Sequence, residues 1–194
     1  IKENADDFSL DITFEDNYSG LTTAPDYATQ DSDSATPVTN ADPGNVNYPL
    51  IFEVPRELAK SVNGLDVWIY ASGQNAYWGG CNVWVSEDGN SYRQIGTINN
   101  PATQGTLATD LPIGTDPDTT NEPTVQMIAG SLKSTTKEGA DTYVTLAYVD
   151  GEFISYQTAE LTQPSTYKLS YLRRGLYGSK IKNHNADSNF VMCD

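Results

Sequence analysis

The sequence predicts an all-β fold, antiparallel and sandwich-like, with long polar loops. Three observations lead there. Period-two alternation of apolar and polar residues recurs along the chain, no segment carries three turns of amphipathic helix, and turn-forming Gly, Asp and Asn fall between the alternating runs.

Phe8, Leu10, Ile12 and Phe14 alternate with Ser9, Asp11, Thr13 and Glu15, which makes one face of an extended segment apolar. Residues 16–48 are rich in Asp, Thr, Ser, Asn and Pro and read as a long surface excursion that packs through Tyr18, Leu21 and Tyr27. Pro49 and Pro55 bracket a short strand, Leu50 to Val54, with proline at both ends where ladder hydrogen bonds are dispensable. Leu65, Val67, Ile69 and Ala71 then share one face, expected to look inward, and Asp66, Trp68 and Tyr70 share the other. Cys81, Val83 and Val85 repeat the aliphatic face, opposed by Asn82, Trp84 and Ser86. Glu87-Asp88-Gly89-Asn90 supplies tight-turn chemistry before a returning strand, Tyr92 to Ile98.

Residues 99–123 are polar, with six Thr and four Pro, and read as a loop or a boundary. Val125 to Leu132 is a weak strand. Thr142 to Val149 and Glu152 to Tyr156 flank Asp150-Gly151, the strongest two-residue hairpin signal in the chain. Tyr167, Leu169 and Tyr171 mark a last long strand, and Phe190 to Met192 closes the sheet. The domain reading is a β-rich segment over 1–98, the loop or boundary 99–123, and a β-rich segment over 124–194, with one continuous domain as the variant.

Against 26 Asp and Glu stand 11 Lys and Arg, a formal net charge of −15 over 194 residues. Such a surface repels phosphate backbones and anionic lipid, so broad nucleic-acid or membrane-surface binding is disfavoured. No apolar run approaches the roughly 18 residues of a membrane span, and the first residues lack signal-peptide architecture. With no initiator Met and a strand pattern already running at Phe8, the chain reads as an internal piece of a longer polypeptide.

Two cysteines, Cys81 and Cys193, and one histidine, His184, cannot furnish a structural zinc site. A disulfide between the two cysteines stays open, with Cys81 read first as a small buried residue on a strand. Asp116, Asp118, Asn121 and Glu122 offer oxygen ligands of the kind Ca²⁺ takes, but the spacing is not an EF-hand loop and a solvated acidic loop is the simpler reading. No G-x-S-x-G elbow accompanies His184, and nothing singles out a facing carboxylate pair among so many acids. The expectation is a non-enzyme without cofactor or metal.

Two groups of residues stand out as contact candidates. If the strands around 65–71 and 81–86 are neighbours, Trp68, Tyr70 and Trp84 share a face, with Tyr77 and Trp78 in the loop joining them; such aromatics anchor protein interfaces or stack on sugar rings. Lys168, Arg173, Arg174, Lys180 and Lys182 place five of the 11 basic residues in a short span, a candidate inter-subunit patch facing acidic surface elsewhere.

Two stretches carry a resemblance. Trp78-Gly79-Gly80-Cys81-Asn82-Val83-Trp84-Val85-Ser86-Glu87-Asp88-Gly89-Asn90-Ser91-Tyr92 resembles the W-G-G-x-x-V-W-x-S-x-D-G-x-S-Y segment of the tail-tip hub, or host-specificity, proteins of long-tailed phages (lambda J-like) and gene transfer agents. Ala159-Glu160-Leu161, then Tyr167 to Ser179 with its Arg174-Gly175 and Gly178, and His184, is similar to that family's A-x-L…Y-x-L-x-x-L-x-R-G-x-x-G-T…H run. Ser179 replaces the usual Thr, and Asn185 to Asp187 replaces a more glycine-rich stretch; a satisfied structural histidine is the default reading of His184. The resemblance implies a structural part of a virion tail tip or baseplate hub, trimeric, whose partners are other tail-tip proteins, copies of itself and a host-surface receptor or glycan. In that picture Gly175 and Gly178 permit a tight turn after the last strand. The alternative is a carbohydrate-binding β-sandwich module with Trp78 and Trp68 or Trp84 as its platform.

Overall fold

The structure is a computed structural model, and it describes residues 2–3, 10–11, 42, 44–61, 64–75 and 77–193. The chain divides into two compact units, Ile1–Asn40 and Ala41–Asp194. In the first, β1 (Lys2–Glu3) pairs antiparallel with β2 (Leu10–Asp11), Glu3 opposite Leu10. The remainder of the expected strand at Phe8 to Phe14, and nearly all of the excursion at 16–48, lie outside the described residues.

The second unit contains β3 (Leu50–Glu53), β4 (Val67–Tyr70), β5 (Cys81–Val85), β6 (Arg93–Ile98), β7 (Gln104–Leu107) and β8 (Thr124–Ala129). A short helix α1 (Lys137–Asp141) follows, then β9 (Ala147–Val149), β10 (Glu152–Gln163), β11 (Thr166–Leu176) and β12 (Asn189–Met192). Strands dominate, every ladder is antiparallel, and the all-β expectation holds. The larger sheet closes on itself as a six-stranded barrel in the order β10-β11-β8-β7-β12-β9, and β3-β4 and β5-β6 are separate two-stranded sheets.

Closure follows from local chemistry. Asp150 and Gly151 both take positive φ (38° and 91°), the mirror-image turn that matches strand twist, and so join β9 to β10 in a tight hairpin. β12 then fills the gap between β9 and β7, as the apolar run at Phe190 to Met192 leads one to expect. The stretch 99–123 is not wholly loop: Gln104–Leu107 is β7, a barrel strand, and Leu107 is buried in the core. Gly105 makes this strand possible, because a Cβ there would stand 2.2 Å from the Gln126 carbonyl oxygen.

Alternation along the barrel strands sorts side chains between two cores. Ala147, Val149, Ile154, Phe190 and Met192 point into the barrel with Leu107, Val125, Leu169 and Leu172. Phe153, Leu176 and Val191 belong to a second core outside it, covered by Leu50 and Phe52 of β3, with Trp68, Tyr70 and Tyr148 packed against them. The Phe52 ring stacks on Tyr148 at 3.8 Å between centroids and 12° between planes, and on Tyr70 at 5.7 Å and 17°. β3 and β4 are thus pinned to the barrel wall by aromatic packing.

Candidate functional site

β11 delivers two consecutive arginines, and they reach different places. Arg173 is partly exposed and forks onto Asp116 (Nε to Oδ1 2.7 Å, Nη2 to Oδ2 2.8 Å), with Nη1 donating to Asp141 at the end of α1 at 3.1 Å. The Tyr171 hydroxyl donates to the same Asp141 oxygen. Arg174 is 2% exposed and donates through Nε and Nη2 to Glu152 (2.6 and 3.0 Å) and through Nη1 to Asp118 (3.2 Å). The guanidinium's remaining bonds go to the carbonyls of Pro112 and Lys182, and the Arg174 amide donates to Asp116 Oδ1 at 3.1 Å.

Glu152 is the centre of this cluster. The first residue after the Asp150-Gly151 turn, it is fully buried and accepts from Arg174, from the Gly175 and Lys182 amides, and lies 2.8 Å from His184 Nε2. Burial alone pushes its carboxyl up, but the donors from His184, Arg174 and Gly175 outweigh that and hold it at about 2. Gly175 (φ 63°) turns its amide onto this carboxylate, and no room remains there for a side chain: a Cβ would lie 2.8 Å from Ile181 and 3.0 Å from the Ser179 carbonyl. His184 is clamped by its backbone too, exchanging amide bonds with Leu111 at 2.8 and 2.9 Å. Its Nδ1 is buried with no hydrogen-bond partner among the described residues.

The acidic loop before β8 is bound to the same cluster. Asp118 exchanges backbone bonds with Leu172, while its carboxylate caps the turn through the amides of Thr120 and Asn121. Burial raises its carboxyl, and those amides with Arg174 bring it below the ordinary value. Asp116 is lowered too, first by the Arg173 hydrogen bond. Glu122 is 3.4 Å from Lys168. Of the groups read as possible Ca²⁺ ligands, the carboxylates of Asp116, Asp118 and Glu122 thus pair with cations of the protein itself, and the Asn121 side-chain amide donates to Asp118 at 2.8 Å. Among the described residues no group of three or more His, Cys, Asp or Glu is placed to hold a metal.

The basic candidates form no common patch. Arg174 is buried, Arg173 pairs with Asp116 and Asp141, Lys168 with Glu122 and Glu160, and Lys182 with Asp150, each partner from this same chain. Lys180 alone of the five is exposed without an ion pair among the described residues. A run of basic residues on a strand and the loop after it alternates in direction, so proximity in sequence does not become a shared surface.

The aromatic candidates are divided as well. β4 pairs with β3 and β5 with β6, so Trp68, Tyr70 and Trp84 are not on one sheet. The facing of β4 is the reverse of expectation: Trp68 and Tyr70 turn toward Phe52 and the second core, while Val67 and Ile69 face out. Trp84 and Tyr77 remain exposed, at 54% and 55%. Trp78 is half-buried, its ring against Gly73 and its indole N–H donating to the Asn99 carbonyl at 2.7 Å.

Where β4 turns its aliphatic side outward, a groove of about 520 Å³ opens between the two small sheets. Ile51, Val67 and Ile69 line one side, Val83, Trp84 and Ile95 the other, and no charged residue lines it. Cys81 sits in its wall, and no disulfide joins it to Cys193. At the far end of β5, Asp88 accepts from the Ser91 and Asn90 amides and the Ser86 hydroxyl, which hold its carboxyl at about 2 and order the turn to β6.

Residues 102–191 match the family model described as Rcc01698-like, C-terminal. The chain is similar there to that family. The match spans the barrel almost strand for strand, from just before β7 into β12, and contains Asp118, Glu152, Arg174 and His184, but it is under half of the 194 residues. No curated protein matches the chain.

Proposed function

We propose that this chain is a structural domain of a tail-tip or baseplate hub in a phage-like particle, working through packing and host-surface contact rather than turnover. The observation that carries the reading is the fate of the charged groups. Arg174, Glu152, Asp118 and His184, the residues best equipped for acid–base chemistry, are each at most 2% exposed and hold two loops to the barrel. A carboxylate enclosed by its own protein's donors cannot meet a substrate, and its value lies in fixing the fold. The A-x-L…R-G-x-x-G…H run that resembles tail-tip hubs supplies Arg174, Gly175 and His184 of this brace, so the resemblance and the packing point to one role.

A second reading, a carbohydrate-binding module, is favoured by the exposure of Trp84 and Tyr77. Trp68 and Tyr70 drop out of any sugar platform because they pack against Phe52. The test is the mass of the protein in solution combined with glycan-array binding. A trimer, or a monomer that trimerises only with flanking segments attached, accords with the hub reading. A discrete dimer, or glycan binding lost in Trp84→Ala, counts against it.

A further inference from the structure

The aromatic seam that pins β3 to the barrel ends at a rim where polar groups are left open. β9 and β12 pair Val149 with Phe190, both pointing into the barrel, so the next positions along each strand, Asp150 and Asn189, stand side by side at that rim. Tyr48 lies two residues before Leu50 of β3. With Tyr148 these three line a cleft of about 320 Å³. Tyr48 is 81% exposed. Among the described residues the Asp150 carboxylate accepts only from Lys182 Nζ, at 3.4 Å to Oδ2, which leaves Oδ1 open. The Asn189 carboxamide and the Tyr48 hydroxyl have no hydrogen bond among the described residues. The backbone under these groups is tied down. Asn47 binds Ser72 and Gly73 through its amide and its side chain at 2.8–2.9 Å, and Pro49 restricts the other flank of Tyr48. Tyr148 is stacked on Phe52, Asp150 sits in the positive-φ turn, and Asn189 pairs with Thr106 in the ladder.

We propose that this rim cleft binds a neutral sugar ring of a host-surface glycan. The inference rests on the reading of the domain as a host-contacting part of a tail tip, and it names the ligand class and the site. Three features select a sugar. Tyr48 offers an aromatic face to the apolar CH side of the ring. Asp150 Oδ1 and the adjacent Asn189 carboxamide supply an acceptor beside a donor, the two partners that one hydroxyl satisfies at once. The cleft's volume is at the small end of small-molecule sites, room for a ring and not for a helix. Charge then decides which sugar. A carboxylate in the cleft and a net charge of −15 repel sialylated, sulfated or phosphorylated glycans, so the ring is uncharged.

The test applies the full 194-residue chain to an array of neutral oligosaccharides of glucose, galactose and mannose beside their sialylated and sulfated counterparts. The wild type is expected to bind neutral glycans in preference to charged ones. Tyr48→Ala and Asn189→Ala should each weaken that binding by roughly tenfold or more, with circular dichroism and melting temperature unchanged because both side chains already face water. Asp150→Asn keeps a residue that tolerates the positive φ of the turn and removes the carboxylate, and should also weaken binding. Tyr92→Ala, at an exposed aromatic on the β5-β6 hairpin, should bind like the wild type. A blank array, a preference for charged glycans, or binding that survives both Tyr48→Ala and Asn189→Ala each overturns the proposal. A blank array from a protein that still trimerises, alone or with its flanking segments, removes this site and leaves the hub reading standing. Binding lost in Trp84→Ala and kept in Tyr48→Ala overturns both.

Discussion

Replacing Glu152 by Gln changes one oxygen to an amide and removes one charge, yet it should be among the most damaging substitutions available. The side chains of Glu152 and Arg174 both have no exposed surface. The carboxylate receives two Arg174 bonds, the Gly175 and Lys182 amides, and the contact with His184 Nε2. Glutamine keeps one acceptor oxygen and aims two N–H groups at donors, leaving the buried guanidinium paired only with Asp118 at 3.2 Å and two carbonyls. Breaking one side of a buried ion pair costs about 3–5 kcal/mol. Against a total stability of about 5–15 kcal/mol, that removes a large share and lowers the melting temperature by about 10 °C or more. Urea unfolding followed by circular dichroism reads the loss as a shift in midpoint at constant slope. The double replacement Glu152→Leu/Arg174→Met should be less damaging than the sum of its single changes, because neither then leaves a bare charge. A loss under about 1 kcal/mol for Glu152→Gln, or additive single changes, would refute the account of the cluster as a coupled brace.

Three further outcomes are expected. Glu152 is held at about 2, and Asp116 and Asp118 also lie below their ordinary values, so their stabilisation is complete above the ordinary carboxyl range and is lost as pH falls toward 2; Glu152→Gln should flatten that acid limb in urea titrations run at successive pH values. Arg173→Ala, at a side chain only 20% exposed, should cost about 1–2 kcal/mol and loosen the tie between α1 and β11, read as faster amide exchange at Thr142 and Tyr143. Gly105→Ala should cost more than about 2 kcal/mol, since its methyl meets the β8 backbone, and thermal unfolding with a shift of only a degree or two would show that the two strands can separate freely.

Much of the strand framework was legible because period two and turn chemistry are local properties. Asp150-Gly151 and Glu87 to Asn90 each mark a hairpin found in the structure. Facing was harder. Alternation at Val67 to Tyr70 defines two sides of a strand without saying which is buried, and Phe52 with Tyr148 offers the aromatic side a stacking surface that the aliphatic side lacks. β7 was invisible, because Gln104-Gly105-Thr106-Leu107 has little apolar signal and owes its place to neighbours far along the chain. Of the central cluster, Arg174 and His184 stood out, one in a basic run and one as the sole histidine. Asp118 drew notice only as an oxygen ligand in an acidic loop, and Glu152 did not stand out at all, being one acid among 26. The one available hint was that a buried Arg-Gly…His run requires a countercharge.

One consequence of the Arg174 brace concerns where this molecule tolerates change. A single guanidinium fixes the spacing of Pro112, Asp118, Glu152 and Lys182, so inserting or deleting a residue in either connecting loop would drag a bonded group out of reach. The tip of the β10-β11 hairpin around Pro164 and Ser165 is exposed and lies beyond those ties. Length variation, and with it any retargeting of what the protein touches, should accumulate at that tip and in the two small sheets while the barrel stays constant.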